Sequence, residues 1–205
     1  MPSVWPRLAV VAVLSLLLGA ATGFASADRP AGPGPVSITI RAHRTVLFGD
    51  ALLDTPGGDA SSQVAGLLAA DAPGMEVVDL CLAETAATML TRINGPVDAR
   101  GDVVVFSVGS LDAARHTPLD EYALQLREIL ARMATARVVV VLPPNLFGTS
   151  LVGAYADATR LAATQAHAGI LDPSSTVLGG GYNVDGTTLN ARGRRDLTTL
   201  IEERL

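Results

Sequence analysis

Four stretches of the chain are apolar almost without interruption: VLF at 46–48, MEVVDL at 75–80, DVVVFSV at 102–108 and RVVVVL at 137–142. A strand that alternates polar and apolar residues has one wet face, whereas a continuous run has both faces covered, as in a parallel sheet between helical layers. Between these runs the apolar spacing changes to the helical period. It does so over 59–72, 84–94 and 119–134, then at about 150–168 and 190–204. The clearest is 119–134, where Leu124, Leu126, Ile129, Leu130 and Met133 are expected to form the buried face. Strand and helix alternating in this way predict an α/β protein, a three-layer α/β/α sandwich on a mostly parallel sheet. VSITIRA at 36–42 alternates cleanly and predicts one further edge strand.

The start of the chain follows a different pattern. Arg7 precedes an apolar run from Leu8 to Leu18, and Ala25-Ser26-Ala27 supplies small residues in the spacing of a cleavage site. Residues 1–27 therefore read as an export signal, with a retained membrane anchor as the other reading. Residues 28–35 form a Pro- and Gly-rich lead-in, and 36–205 remain as one domain. Export places the mature protein outside the cytoplasm, in or beyond a bacterial cell envelope, touching a membrane only if the signal is uncleaved.

Composition removes several kinds of chemistry. The single cysteine, Cys81, leaves no disulfide within the chain and no cysteine-based zinc site. All 15 basic residues are arginine, so lysine Schiff-base and Ser-Lys mechanisms are excluded. A net charge of −5 with no basic run argues against nucleic acid as a partner. Trp5 and Phe24 lie in the signal, leaving Phe48, Phe106, Phe147, Tyr122, Tyr155 and Tyr182 as a thin aromatic supply for stacking.

In an open parallel sheet, ligands bind beyond the carboxyl ends of the strands. The loops to examine are GDALLD at 49–54, CLAET at 81–85, GSLD at 109–112, PPNLFG at 143–148 and YNVDGTTLNARG at 182–193. In this order they resemble the sequence blocks of the SGNH (GDSL) hydrolases, a family of esterases, lipases, thioesterases and carbohydrate deacetylases. GDAL at 49–52 stands for the GDSL block, VVDLCLAET at 77–85 for the glycine block, VGSLD at 108–112 for G-x-N-D, and DGTTLNARG at 185–193 for D-x-x-H. The resemblance implies a flavodoxin-like α/β/α fold across nearly the whole mature chain.

It also implies a serine nucleophile, an oxyanion hole made by a backbone N–H, a glycine N–H and an asparagine amide, and a histidine base oriented by an aspartate. Here the serine position is Ala51, the glycine position Glu84, the asparagine position Leu111 and the histidine position Thr188, and only the orienting Asp185 is retained. These groups act as a unit, so four losses together imply a dismantled catalytic site. Asp50, Ala51, Glu84, Gly109, Leu111, Asp185 and Thr188 then remain as a candidate binding site. Its expected ligand is an acyl chain or an acylated glycan, unless the surface instead serves another envelope protein.

Two rescues of catalysis stay open on sequence. Ser107, Ser110, Thr187, Thr188 or Cys81 could replace the nucleophile, but His43, His116 and His167 all lie outside the expected site loops. No cofactor is expected, although Asp50, Glu84, Asp112 and Asp185 would suit a hard cation if Glu84 and Asp185 were free. Gly179-Gly180-Gly181 reads as a flexible turn rather than a phosphate loop. Arg192, Arg194 and Arg195 open the last helix as a solvated face that could meet an anion.

Overall fold

Every side chain of the strand Val103–Ser107 is buried, so the run VVVFS is covered on both faces. The computed structural model describes residues 44–50, 52–53, 59–97, 99–144, 150–175 and 189–205. The chain divides into two units, and the first, Met1–Thr39, lies outside the described residues. The signal, the lead-in and the edge strand expected at 36–42 therefore fall outside them as well.

The described strands are β1 (Arg44–Gly49), β2 (Glu76–Asp79), β3 (Val103–Ser107), β4 (Arg137–Val141) and β5 (Gly169–Leu171). The described helices are α1 (Val64–Asp71), α2 (Ala86–Arg92), α3 (Ser110–Ala114), α4 (Leu119–Arg132), α5 (Ser150–Gln165) and α6 (Ala191–Glu202). Short 3-10 turns occupy Ala60–Ser62 and Pro173–Ser175. The sheet runs β2-β1-β3-β4-β5 with every pairing parallel.

Alternate residues of the strands feed two separate cores. Val104, Phe106 and Val140 pack with Met89 of α2, Tyr122, Leu126 and Ile129 of α4, and Ala162 and Ala163 of α5. Val103, Val105, Val139 and Val141 pack on the other side with Val64 and Leu68 of α1 and Leu197 and Ile201 of α6. Hence both neighbours in sequence are apolar: each serves a different helical layer. The three-layer α/β/α sandwich expected from the periodicity is the observed fold.

Local chemistry starts and stops the helices. Asp120 and Glu121 occupy the first turn of α4 and Arg132 its last, each sign where the helix dipole favours it. Thr85 caps α2 by accepting the Thr88 N–H, and Asn190 caps α6 by accepting from Arg192 and Gly193.

Four local expectations need correction. Leu124 does not join the buried face of α4 but is 63% exposed, and Tyr122, fully buried, takes its place. Tyr122, Leu126, Ile129, Leu130 and Met133 follow steps of three and four, whereas Leu124 lies two positions from both Tyr122 and Leu126, on the opposite side. The helix expected over 59–72 breaks at Gln63, and Gly66 lets its first turn come close, since a Cβ there would lie 2.2 Å from the Ala60 carbonyl oxygen. The short helix α3 forms where only a loop was expected. So does β5, whose three residues show no periodicity of their own.

Candidate functional site

The strand order reverses between β1 and β3, and the register pairs Gly49 with Ser107, so their carboxyl ends finish level. Chain turns leave both strands there, one into Asp50 and the other into Gly109. This is the switch-point crevice at which open parallel sheets bind ligands.

Asp50 ties the two turns together. Its backbone N–H donates to the Ser107 carbonyl at 2.9 Å. Its carboxylate accepts from the Leu52 N–H at 3.1 Å, the Ser107 hydroxyl at 2.9 Å and the Ser110 N–H at 3.2 Å. With the residue buried, these donors replace the water a carboxylate would otherwise require. Asp50 is thus a structural clamp, and Ser107, whose hydroxyl it holds, is fully buried.

Gly109 opens α3 with φ of +112°, in the left-handed region, and a Cβ at that position would stand 2.6 Å from the Tyr122 hydroxyl. Leu111 follows within α3, half-buried. Asp112 is wholly buried, and its Oδ2 accepts from the Ala86 N–H at 3.0 Å, joining the third loop to the start of α2. Burial pushes the Asp112 carboxyl above the ordinary range. The Ala86 N–H and the Thr117 hydroxyl oppose the rise, and the Asp50 carboxylate adds to it.

The folded protein therefore holds this proton more tightly than the unfolded chain. The stability Asp112 contributes is present below its unfolded value and is lost as pH rises through the folded one. Relative to Asp112→Asn, the wild type should lose stability as pH rises above about 4. Urea midpoints across the acid range test this, and a flat difference between the two proteins would refute it.

A buried polar network beneath Gly109 escaped the sequence reading. The Tyr122 and Thr159 hydroxyls lie 2.6 Å apart, Tyr122 also donates to the Val108 carbonyl at 3.3 Å, and the Tyr155 hydroxyl donates to the Thr117 carbonyl. Burial pushes the Tyr122 phenol far up, so it stays a neutral donor. The one available signal was Tyr122 itself, a hydroxyl placed at the head of the buried stripe of α4.

Glu84 departs from its expected role. It is buried, while Leu82 and Ala83 just before it are exposed. Its Oε1 is paired with Arg92 of α2, whose guanidinium also donates to the Leu80 carbonyl at 2.9 Å and lies 4.6 Å from the Phe48 ring centroid. The carboxylate is thus held in an ion pair with Arg92. The idea of a free Glu84 contributing to a cation site falls with it. Asp50, whose carboxylate accepts three donors, is no free ligand either. Among the described residues no three His, Cys, Asp or Glu side chains converge in a way that could hold a metal ion.

The substitute nucleophiles among the described residues are not paired with a histidine base. Cys81 is buried in the core with Leu47 and Leu52. Ser110 Oγ has no hydrogen-bond partner among the described residues, so no base among them addresses it. His116 and His167 are exposed, and His167 precedes β5, at the amino end of the sheet. Arg194 is committed inside the fold, donating to the Ser62 and Leu189 carbonyls at 2.7 Å each. Ala51, His43, Asp185, Thr187, Thr188 and the glycines at 179–181 lie outside the described residues.

The structure aligns with a member of the lipolytic protein G-D-S-L family from Veillonella parvula at a TM-score of 0.68, over 78% of this chain and 96% of that one, with 14% identity. The chain has the fold of the lipolytic G-D-S-L proteins. An acetyl xylan esterase matches at a TM-score of 0.67 and 17% identity, over 79% of this chain and 99% of the other. The M. smegmatis aryl esterase matches at 0.63 and 18%, over 80% and 98%. No protein-family model and no curated protein matches by sequence. Within this G-D-S-L fold the turns after β1 and β3 are built and pinned, the Asp50 carboxylate holding the Ser107 hydroxyl and the Ser110 N–H.

Proposed function

We propose that this chain is an exported, degenerate SGNH (GDSL) hydrolase that binds a ligand at the β1/β3 crevice without hydrolysing it, as an accessory module of a bacterial cell envelope. The observation that carries the reading is the Asp50 clamp. It preserves the turn that would display a nucleophile, at a position where the sequence has Ala51. Leu111 and Thr188 replace the amide and the base in the same way, and Asp185 is left with no imidazole to orient.

The ligand class follows from the apolar side chains near the crevice. Leu82 is 53% exposed, and its N–H donates to the Gly49 carbonyl at 2.8 Å, which sets it beside the β1 turn. Leu80 is 44% exposed on the same loop. Exposed leucines at a strand end favour an acyl chain over the polar face of a sugar.

Short-chain nitrophenyl esters test the reading. The protein should release nitrophenol no faster than buffer while retaining a medium-chain fatty acid in equilibrium dialysis. Turnover well above buffer that survives Asp185→Ala and Thr188→Ala would establish the second reading, an esterase or acyltransferase working through other residues.

A further inference from the structure

Helices α4 and α5 lie side by side on one face of the sheet and run in the same direction, because each returns from the carboxyl end of one parallel strand to the start of the next. Between them an open furrow of about 760 Å³ is lined by Leu119, Asp120, Ala123 and Arg127 of α4 and by Ala154 and Leu161 of α5, among others. Leu161 is 59% exposed and Leu119 41%, so two leucines stand in water on this surface.

The charges on this furrow are placed in a self-complementary way. Asp120 and Arg127 are both exposed, and neither has an ion-pair partner among the described residues. They stand seven residues apart, about 10 Å along one helix face, on either side of Ala123. Ala154 and Leu161 have the same separation on α5.

We propose that a second copy of the chain closes this furrow, packed antiparallel about a two-fold axis level with Ala123. The rotation brings Arg127 of each copy to Asp120 of the other and lays each Leu161 on the small Ala154 of its mate. One surface thereby supplies both halves of an isologous contact, and the alanines let the helices approach closely. Asp157, exposed on the furrow near the axis, is a like-charge approach that this arrangement has to accommodate.

Sedimentation equilibrium on the full chain tests this. A monomer–dimer equilibrium is expected, with Leu161→Arg, Asp120→Arg and Arg127→Glu each weakening it about 10-fold or more. The double variant Asp120→Arg/Arg127→Glu restores the charge pairing and should return the association close to wild type. Circular dichroism identifies any variant that fails to fold, and the rescue requires a folded protein. Three outcomes would overturn the proposal: a monomer at every concentration, a dimer indifferent to Leu161→Arg, or a double variant weaker than both singles. So would a constant monomer mass in which Leu161→Arg exposes residues 1–39 to protease, because the furrow would then hold the chain's own N-terminal segment.

Discussion

Ala51→Ser, Leu111→Asn and Thr188→His, introduced together with Glu84 left in place, should raise nitrophenyl ester hydrolysis about 10³-fold over the wild-type background. The set supplies a nucleophile, an oxyanion donor and a base on a scaffold whose turns Asp50 and Gly109 already hold. None of the three should act alone, because a nucleophile without its base recovers little. Ala51→Ser by itself is expected to stay at background.

The structure changes which set to restore. From the sequence, Glu84 had to become glycine to remove a carboxylate from the oxyanion position. In the fold that carboxylate is buried and paired with Arg92, and cutting it back would leave the guanidinium beside Phe48 with its charge uncompensated. Arg92 retains 31% exposure of its side chain, so the loss is about 1–2 kcal/mol rather than that of a fully buried pair. Adding Glu84→Gly to the other three should lower the urea midpoint and give no further activity. If the triple variant folds and stays inert while the quadruple is active, Glu84 does occupy the oxyanion position and its present assignment to Arg92 is wrong.

Gly49→Ala should destabilise the protein by about 3 kcal/mol or more. A Cβ there would lie 2.2 Å from the Ser107 carbonyl oxygen and within 2.9 Å of two further Ser107 backbone atoms. Those atoms belong to the neighbouring central strand, so no side chain can rotate away to make room. Relief would require β1 and β3 to separate where Phe48 pairs with Phe106. Gly74→Ala provides the comparison. Its φ of +98° strains any side chain, but nothing lies within 4 Å, so about 1 kcal/mol is expected. Urea denaturation of the pair reads the contrast, and equal losses would show that conformational strain, not strand contact, sets the requirement at Gly49.

Much of the architecture was legible because it is written locally. β3 and β4 read as doubly covered strands from Val103 to Phe106 and Val138 to Val141, and α4 from the spacing of Leu126, Ile129 and Leu130, since those periods reflect which side chains meet a layer. The candidate site was legible only as a set of positions. Asp50, expected as one of the crevice residues, braces the two turns there. Glu84 was expected as a free carboxylate and is paired instead: its partner Arg92 lies eight residues on, a separation outside the three- and four-residue steps that mark helical neighbours. Leu124 was misplaced for a related reason, because hydrophobicity alone does not say which side of a helix a leucine takes once a tyrosine competes for the core.

The sequence by itself determined the layered α/β sandwich and the absence of a serine, an asparagine and a histidine at positions 51, 111 and 188. These rest on residue identity and local period, which need no knowledge of the rest of the chain. Only the tertiary structure decided that Glu84 turns inward to Arg92, that Asp50 and Ser107 meet across 57 residues of chain, and that α4 and α5 leave an apolar furrow with Asp120 and Arg127 astride it. Such contacts join segments brought together by sheet order, and sheet order follows from how the layers share their apolar faces rather than from any neighbouring residues.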